Sequence, residues 1–259
     1  EKVFVKSRDI ITYFEIFIIG ICMVKKYIFL FLLLKDPEFV KCSTRSVQEL
    51  FKKLSKGIPG IIPSIDPFTV NKVSLEQSGT DAANIKVDLT NVKVKGFGQT
   101  KVTESKVDPK DFSWVTKFRI PHIRVDADYA LDGRILLVPL QGKGDMFLDI
   151  DDLKIIIYTD TRLYEKGDFT FWNITKVRAD AKPTNVKSRL NNLFNGNKEL
   201  EESTNQLFND DWKTFFEALK PTVLDTFEKL IYQVLQQVFT AVPANFFIPD
   251  IPKSTELYA

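Results

Sequence analysis

The C-terminal stretch constrains this chain most. From Asn209 to Pro249 apolar residues return every three or four positions: Trp212, Phe216, Leu219, Val223, Phe227, Leu230, Val234 and Val238. That is the period of one helical face. A second row, Phe215, Leu224, Ile231, Leu235 and Phe239, runs beside it. Charge is confined to positions such as Asp211, Lys213, Glu217, Asp225 and Lys229. A surface helix needs only one narrow apolar stripe. Two bulky rows call for a concave partner that wraps them. Pro221 falls inside the pattern and removes one backbone donor, which predicts a bend at Leu219 to Pro221.

The partner lies upstream, where the period changes to two. Ile123, Val125, Ala127, Tyr129 and Leu131 alternate with Arg124, Asp126, Asp128 and Ala130. Such alternation marks a strand with one buried face. Asp132-Gly133 carries a tight-turn signal, and Arg134 to Leu140 reads as the return strand. Gly142 and Gly144 predict another turn before Met146 to Ile150. Leu153 to Tyr164, a Lys166-Gly167 turn and Phe169 to Ala181 continue the meander. Ile85, Val87 and Leu89 alternate, but the apolar set resumes at Val92 and Val94, so a bulge is expected near Thr90-Asn91. A first helix is predicted at Thr44 to Lys56, with Val47, Leu50, Phe51 and Leu54 on its apolar face. These elements make an α+β chain with a long antiparallel meander, curved if its glycines mark bends.

The inventory of catalytic groups is thin. His122 is the single histidine in the sequence, and a triad would need a nucleophile and an orienting acid beside it. There is no Gly-x-Ser-x-Gly elbow. One histidine with two distant cysteines makes no zinc site, and the Gly57 to Gly60 region lacks the Lys-Ser/Thr ending of a phosphate loop. Asp151 and Asp152 are adjacent on a strand and face opposite ways. Asp210-Asp211 and Glu201-Glu202 read as a wet helix face or a helix N-terminus. No metal and no cofactor is expected. A net charge of +2 argues against nucleic acid, which needs a concentrated basic face. Lysines between Lys86 and Lys117 are interleaved with Asp88, Glu104, Asp108 and Asp111. The 22 phenylalanines supply rigid apolar surface, suited equally to a core or a cavity wall.

Several collinear blocks resemble the insect takeout and juvenile-hormone-binding proteins. Asp132-Gly133-Arg134-Ile135-Leu136, with Pro139-Leu140 and Gly142-x-Gly144, is similar to the central signature of that family. Gly57-Ile58-Pro59, Ile65-Asp66-Pro67-Phe68, Leu193-Phe194-Asn195-Gly196, Asn209-x-x-Trp212 and Val242-Pro243 to Phe247-Ile248-Pro249 follow in the family's order. The resemblance spans about Asp36 to Pro249. It implies a long C-terminal helix cradled by a highly curved antiparallel sheet, in an elongated molecule with an internal hydrophobic tunnel. It implies a secreted, monomeric carrier without enzymatic activity, found in haemolymph or another extracellular fluid. The partner would be a small lipophilic ligand, such as juvenile hormone or a fatty-acid-like lipid, and any membrane contact would be transient. Roles in hormone signalling, feeding or circadian behaviour are further implications.

A carrier needs an apolar cavity and one or two orienting polar groups. Burial of ~300 Å² of ligand would contribute on the order of 7 kcal/mol before association costs. The expected lining is Leu54 on the first helix, then Val125, Tyr129, Leu137, Phe147 and Phe171 on the meander. Trp212, Phe216, Leu219, Phe227 and Ile231 complete it on the long helix. Tyr129, Tyr158, Tyr164 and the Trp212 indole are the candidate orienting groups. Two alternatives stand beside this reading: a membrane-tethered lipid-transfer protein, and an esterase-type hydrolase built on His122. Asn173-Ile174-Thr175 is a glycosylation acceptor in a secreted chain.

Residues 1–35 read as an atypical apolar leader ahead of one domain at 36–259. Ile10 to Leu34 is rich in Ile, Phe, Leu and Tyr but interrupted by Glu15 and Lys25-Lys26. Three readings stay open: a short membrane anchor, a secretory signal beginning at Met23 without a small-residue cleavage site, and translated non-coding sequence. The family resemblance implies a disulfide near the N-terminus. Cys42 fits its second cysteine, and Cys22 is the other cysteine of the chain, too far upstream for the family's spacing.

Overall fold

The computed structural model describes residues 34, 36–57, 64–78 and 83–258. Helix α1 (Phe39–Lys56) comes first. Seven strands follow among the described residues: β1 (Phe68–Gln77), β2 (Ala83–Lys95), β3 (Lys101–Val107), β4 (Trp114–Ile135), β5 (Val138–Lys166), β6 (Phe169–Lys182) and β7 (Asn185–Leu190). Helices α2 (Lys198–Asp210), α3 (Trp212–Ala241) and α4 (Ser254–Leu257) close the chain. All strand pairs are antiparallel, in the order β1-β2-β4-β5-β6, with β3 on β4 and β7 on β5.

Strands β4 and β5 form one ribbon that serves both ends of the molecule. In β4 the buried residues are Thr116 and Ile120, then Ile123, Ala127, Tyr129, Leu131 and Ile135. The buried parity therefore changes between Ile120 and Ile123. In β5 their cross-strand partners change parity at the same place, Leu153 opposite Ile120 and Ile150 opposite Ile123. Asp152 sits at this point with φ 46. A face switch in both strands together bends the ribbon without breaking its ladder. The expected bulge near Asn91 is present: the register slips between Thr90 and Lys93, and Asn91 has φ 53.

Two expected turns are absent. Asp132-Gly133 lies inside β4, and the ribbon turns at Leu136-Leu137, closed by the Ile135–Val138 pair. Gly133 is needed instead for close approach: a Cβ there would lie 2.2 Å from the Asn84 carbonyl oxygen of β2. Gly142 and Gly144 also lie inside an unbroken β5. A Cβ on Gly144 would lie 2.1 Å from the Asn191 carbonyl oxygen, and one on Gly142 would lie 2.9 Å from that of Asn192. These glycines admit a crossing chain, a role that looks like a turn in sequence.

The sheet curls until both of its edges reach α3. The Thr222 hydroxyl donates to Gln77 of β1 at 2.5 Å, and Lys220 pairs with Asp180 of β6 at 2.7 Å. Further along, Glu228 accepts from the Ala179 N–H at 2.6 Å and Gln236 donates to the Ile174 carbonyl at 2.6 Å. Eight residues advance a helix by about 80° beyond two turns. Lys220, Glu228 and Gln236 thus rotate around α3 as they descend, as a strand winding about the helix requires. The helix runs on through Pro221, whose side is exposed.

Helix α1 starts at Phe39, five residues before the expected start, because Phe39 is buried in the cluster around Trp172 and Ile174. Its polar side covers the edge of β3. Gln48 bonds the Val102 N–H at 2.7 Å and the Thr100 carbonyl at 3.0 Å, while Thr44 accepts from the Ser105 N–H at 2.9 Å. Helix α2 covers β7 in the same way. Asn205 clamps Leu190 through 2.8 and 2.9 Å bonds, and Asn209 clamps Ser188 through 2.8 and 2.9 Å bonds. Four helical residues rise about 6 Å, nearly the length of two strand residues, so an i, i+4 pair matches an i, i+2 pair.

Candidate functional site

At one end of the curl the signature segments converge. The segment Asn191 to Gly196 crosses β5 at Gly142 and Gly144, with Asn192, Phe194 and Asn195 at positive φ. Leu193 is wholly buried there. The Tyr129 hydroxyl donates to the Asn191 carbonyl at 2.8 Å. Burial first, then the nearby Glu201 and Asp145 charges, pushes its pKa up to about 12. Glu201, expected on a wet helix face or near a helix N-terminus, stands in the first turn of α2 and is 0 % exposed. It accepts from the Asn192 N–H at 2.7 Å and from Lys198 at 2.9 Å. The Lys198 bond is the chief reason its carboxyl is held below the usual range. Every group in this node is committed to its neighbours, so Tyr129 serves as structure here and its hydroxyl is already taken.

Between the ends the inner surface is different. On a wheel of about 100° per residue, Trp212, Phe216, Val223, Phe227, Leu230 and Val234 share a sector of about 60°. Thr222 meets β1 on one side of the helix and Lys220 meets β6 on the other. Glu217, Pro221 and Asp225, on the outer side between those contacts, are exposed. At this level the apolar sector, with Val223, therefore lies on the inner side; farther along, where the β6 contact has rotated to Gln236, Ile231, Leu235 and Phe239 pack inward. Phe215, Ala218, Thr226 and Val238 are the buried residues of α3. The sector itself stays half-buried, and Val223 is 46 % exposed. Opposite it, Phe68, Val73, Val94 and Val125 on the inner sheet face are also half-buried, packed around Val70, Val92 and Ala127. Phe51 of α1 meets Phe118 of β4 with ring centroids 5.2 Å apart, and Leu54 is half-buried one turn on. The result is a half-buried apolar strip on the inner side of α3 and on the sheet beside it.

Of the expected lining residues, the strip contains Val125, Phe216 and Phe227, with Leu54 and Trp212 at its margins. Leu219 packs into the Tyr129 cluster and Ile231 into the Trp172 cluster. Three placements are corrected. Leu137 is in the β4–β5 turn and is 92 % exposed. Phe147 pairs with Asp126 on the outer face and lies under the Arg124 guanidinium at 3.8 Å. Phe171 stacks on Tyr164 on the outer face of β6, and its neighbour Trp172 points inward. The last two errors come from strand parity, which pairing register fixes and composition does not. Tyr158 also faces outward, near Arg178. Phe68, Val73, Phe118 and Trp114 were missed; their cross-strand partners were the signal that sequence alone did not supply.

His122 is exposed on β4, with Nδ1 2.9 Å from Asp151 and Nε2 3.2 Å from Asp149. Arg124 also holds Asp149 at 2.6 Å. The His122 bond, then that of Asn185, keeps the Asp151 carboxyl below its usual range. Asp152 turns instead to Arg119 and Thr184. This is an ion-pair ladder on the outer surface. No group of metal-binding side chains occurs among the described residues, and no described helix is long and apolar enough to cross a membrane. Cys42 is half-buried and forms no disulfide with a described residue, while Cys22 and leader residues 1–33 and 35 lie outside the described residues. Asn173 is exposed on β6.

The chain is 25 % identical over 214 residues to the circadian clock-controlled protein daywake of Drosophila melanogaster, covering 80 % of this chain and 82 % of that protein. Daywake of Drosophila yakuba matches over the same shares at 25 % identity. The crystal structure of Takeout 1 from Epiphyas postvittana superposes with a TM-score of 0.70 at 23 % identity, covering 84 % of this chain and 98 % of that one. That likeness fixes the fold: a curled antiparallel sheet around a C-terminal helix. The profile of the haemolymph juvenile hormone binding protein family matches residues 33–249. The chain therefore belongs to the takeout and haemolymph juvenile-hormone-binding protein family.

Proposed function

We propose that this chain is a secreted carrier that sequesters one small lipophile along the inner face of α3, as a monomer and without making or breaking a bond. The observation that carries this reading is the half-buried apolar strip, flanked on both sides by sealed clusters. Apolar surface left open inside a fold is costly to keep wet, at roughly 25 cal/mol per Å². A lipophile that covers it recovers that free energy and orders little else, since the helix and sheet are already in place. The family's name points to a terpenoid hormone or a similar long apolar molecule as the ligand class. Asn173 stands exposed at a sheet edge, open to glycosylation in an extracellular setting. Kinship with a clock-controlled protein supports a role in timed signalling or behaviour.

The test is to purify residues 34–259 from secreting insect cells, extract with organic solvent and identify co-purified molecules by mass spectrometry. A lipophile near one per chain is the expected result. A folded chain that neither co-purifies with a lipophile nor takes up an apolar fluorescent probe would overturn the proposal.

A further inference from the structure

The two ends of the curl are closed by different means. At the Tyr129 end backbone presses on backbone: the Asn191 to Gly196 crossing leaves no space for a Cβ on Gly142 or Gly144. At the Trp172 end part of the closure is a terminal segment, residues 250–258, which lies beyond the stretch 33–249 matched by the family profile. Strand β5 creates the need for it. Its pairing with β4 stops at Thr159, opposite Trp114, yet β5 runs on to Lys166, paired on its other side with β6. Among the described residues no strand covers the edge of 160–166 that β4 leaves. Leu163, within that stretch, is the cross-strand partner of Trp172 and shares its cluster.

Side chains cover the edge instead. Ser113 accepts from the Thr161 N–H at 3.2 Å. The Tyr258 hydroxyl accepts from the Leu163 N–H at 3.0 Å, with the Arg162 guanidinium 6.0 Å from its ring. The Glu165 carboxylate takes both the hydroxyl and the N–H of Ser254, the first residue of α4, and those bonds hold it below the usual carboxylate range. Leu257, between these two latches, packs against the Trp172 cluster. Ile251 is 6 % exposed and its N–H donates to the Ile248 carbonyl at 3.1 Å. The segment is therefore fixed up to that residue and held by the latches beyond it. Both latches reach water: Tyr258 is 49 % exposed, and Glu165 and Ser254 are half-buried. A terminal segment held in this way lifts by losing its own few contacts, at a cost far below that of global unfolding. The Tyr129 end has no such segment, and opening it would break the sheet. Ile231, Leu235 and Phe239 of α3 reach the Trp172 cluster, so residues 253–258 close the end toward which the inner side of the helix runs.

Building on the carrier reading, we propose that residues 253–258 are a latched lid: the carried molecule enters and leaves at the Trp172 end, and the Ser254–Glu165 and Tyr258–Leu163 bonds set how fast. A lid that touches no ligand changes both rates and leaves their ratio alone. The experiment follows N-phenyl-1-naphthylamine by stopped-flow fluorescence, first its uptake by the free protein, then its release into excess phosphatidylcholine vesicles. It compares the wild type, Tyr258→Phe, Glu165→Ala, the double variant and a chain that stops at Pro252. Each single variant should speed uptake and release about fivefold, the effect of one hydrogen bond. The double variant and the shortened chain should speed both about twentyfold or more, with the dissociation constant within about twofold of the wild type. Tyr258→Phe deletes one hydroxyl, so it reports even if the shortened chain loosens the cluster. Unchanged rates in the shortened chain overturn the lid. A weaker dissociation constant with an unchanged uptake rate overturns it too, since the segment would then be a wall of the fold. No probe uptake by the wild type overturns the carrier reading beneath it.

Discussion

Where Asn191 to Gly196 crosses β5, the Asn191 amide donates to Asp145 and the Asn192 amide to the Lys143 carbonyl; along the inner side of α3 there is almost no such bond to name. The crossing is held by Tyr129, Glu201 and the two glycines at distances that leave no room for an added atom. The strip is made of Phe, Val and Leu that touch what they face without being sealed by it. Function and stability are thereby kept apart. A region that must hold its shape uses directional bonds and close backbone approach. A region that must accept a guest uses non-directional apolar surface, which costs little to rearrange.

The largest expected effect comes from adding one methyl group at the crossing. In Gly144→Ala the new Cβ would lie 2.1 Å from the Asn191 carbonyl oxygen. Backbone has to move, on a segment pinned by Tyr129 and Asn192. A loss of about 3 kcal/mol or more in unfolding free energy is expected, of the size reserved for core disruption. Denaturant unfolding measures it. A loss under about 0.5 kcal/mol would mean that the crossing is soft and the two regions are not different in kind.

The same contrast explains what the sequence made legible. Gly142, Gly144, Asn209 and the Leu193-Phe194-Asn195-Gly196 turn were visible because each solves a backbone problem that few residue types can solve. Their purpose was less visible, since a glycine at a crossing and a glycine at a turn look alike. The α3 rows were legible as a period, but which row is sealed depended on where β1 and β6 touch the helix. Phe147 and Phe171 were assigned to the wrong face because parity follows register, and register passes through a face switch near Asp152.

A smaller effect belongs to Tyr129, and it depends on pH. Its hydroxyl has an ordinary pKa of 10.0, pushed up to about 12 in the fold. Between those values the unfolded chain has released the proton and the folded chain has kept it. Stability is therefore full below about pH 10 and falls as pH rises through 12, by about 3 kcal/mol for a shift of this size. Tyr129→Phe should remove this alkaline loss. At neutral pH it should cost about 1 kcal/mol, because the Asn191 carbonyl loses its partner. Unfolding curves from pH 8 to 11.5 on both proteins check the sign. An identical alkaline slope in the variant would place the titrating group elsewhere.

The smallest effect on stability should come from the strip, and it is the one that tests the division most directly. Val223 is 46 % exposed yet lies on the inner side of α3, between the β1 and β6 contacts. Val223→Trp adds bulk into open apolar space, so unfolding free energy should stay within about 0.5 kcal/mol of the parent. The indole would occupy volume that a ligand needs, and uptake of an apolar fluorescent probe should fall by about tenfold or more. The two readouts move apart only if the space is internal. If Val223 faced bulk solvent, neither would change. If it faced a sealed core, stability would fall by about 1–3 kcal/mol from overpacking. Unchanged stability with lost uptake is the single outcome that a half-open strip inside a closed sheet can produce.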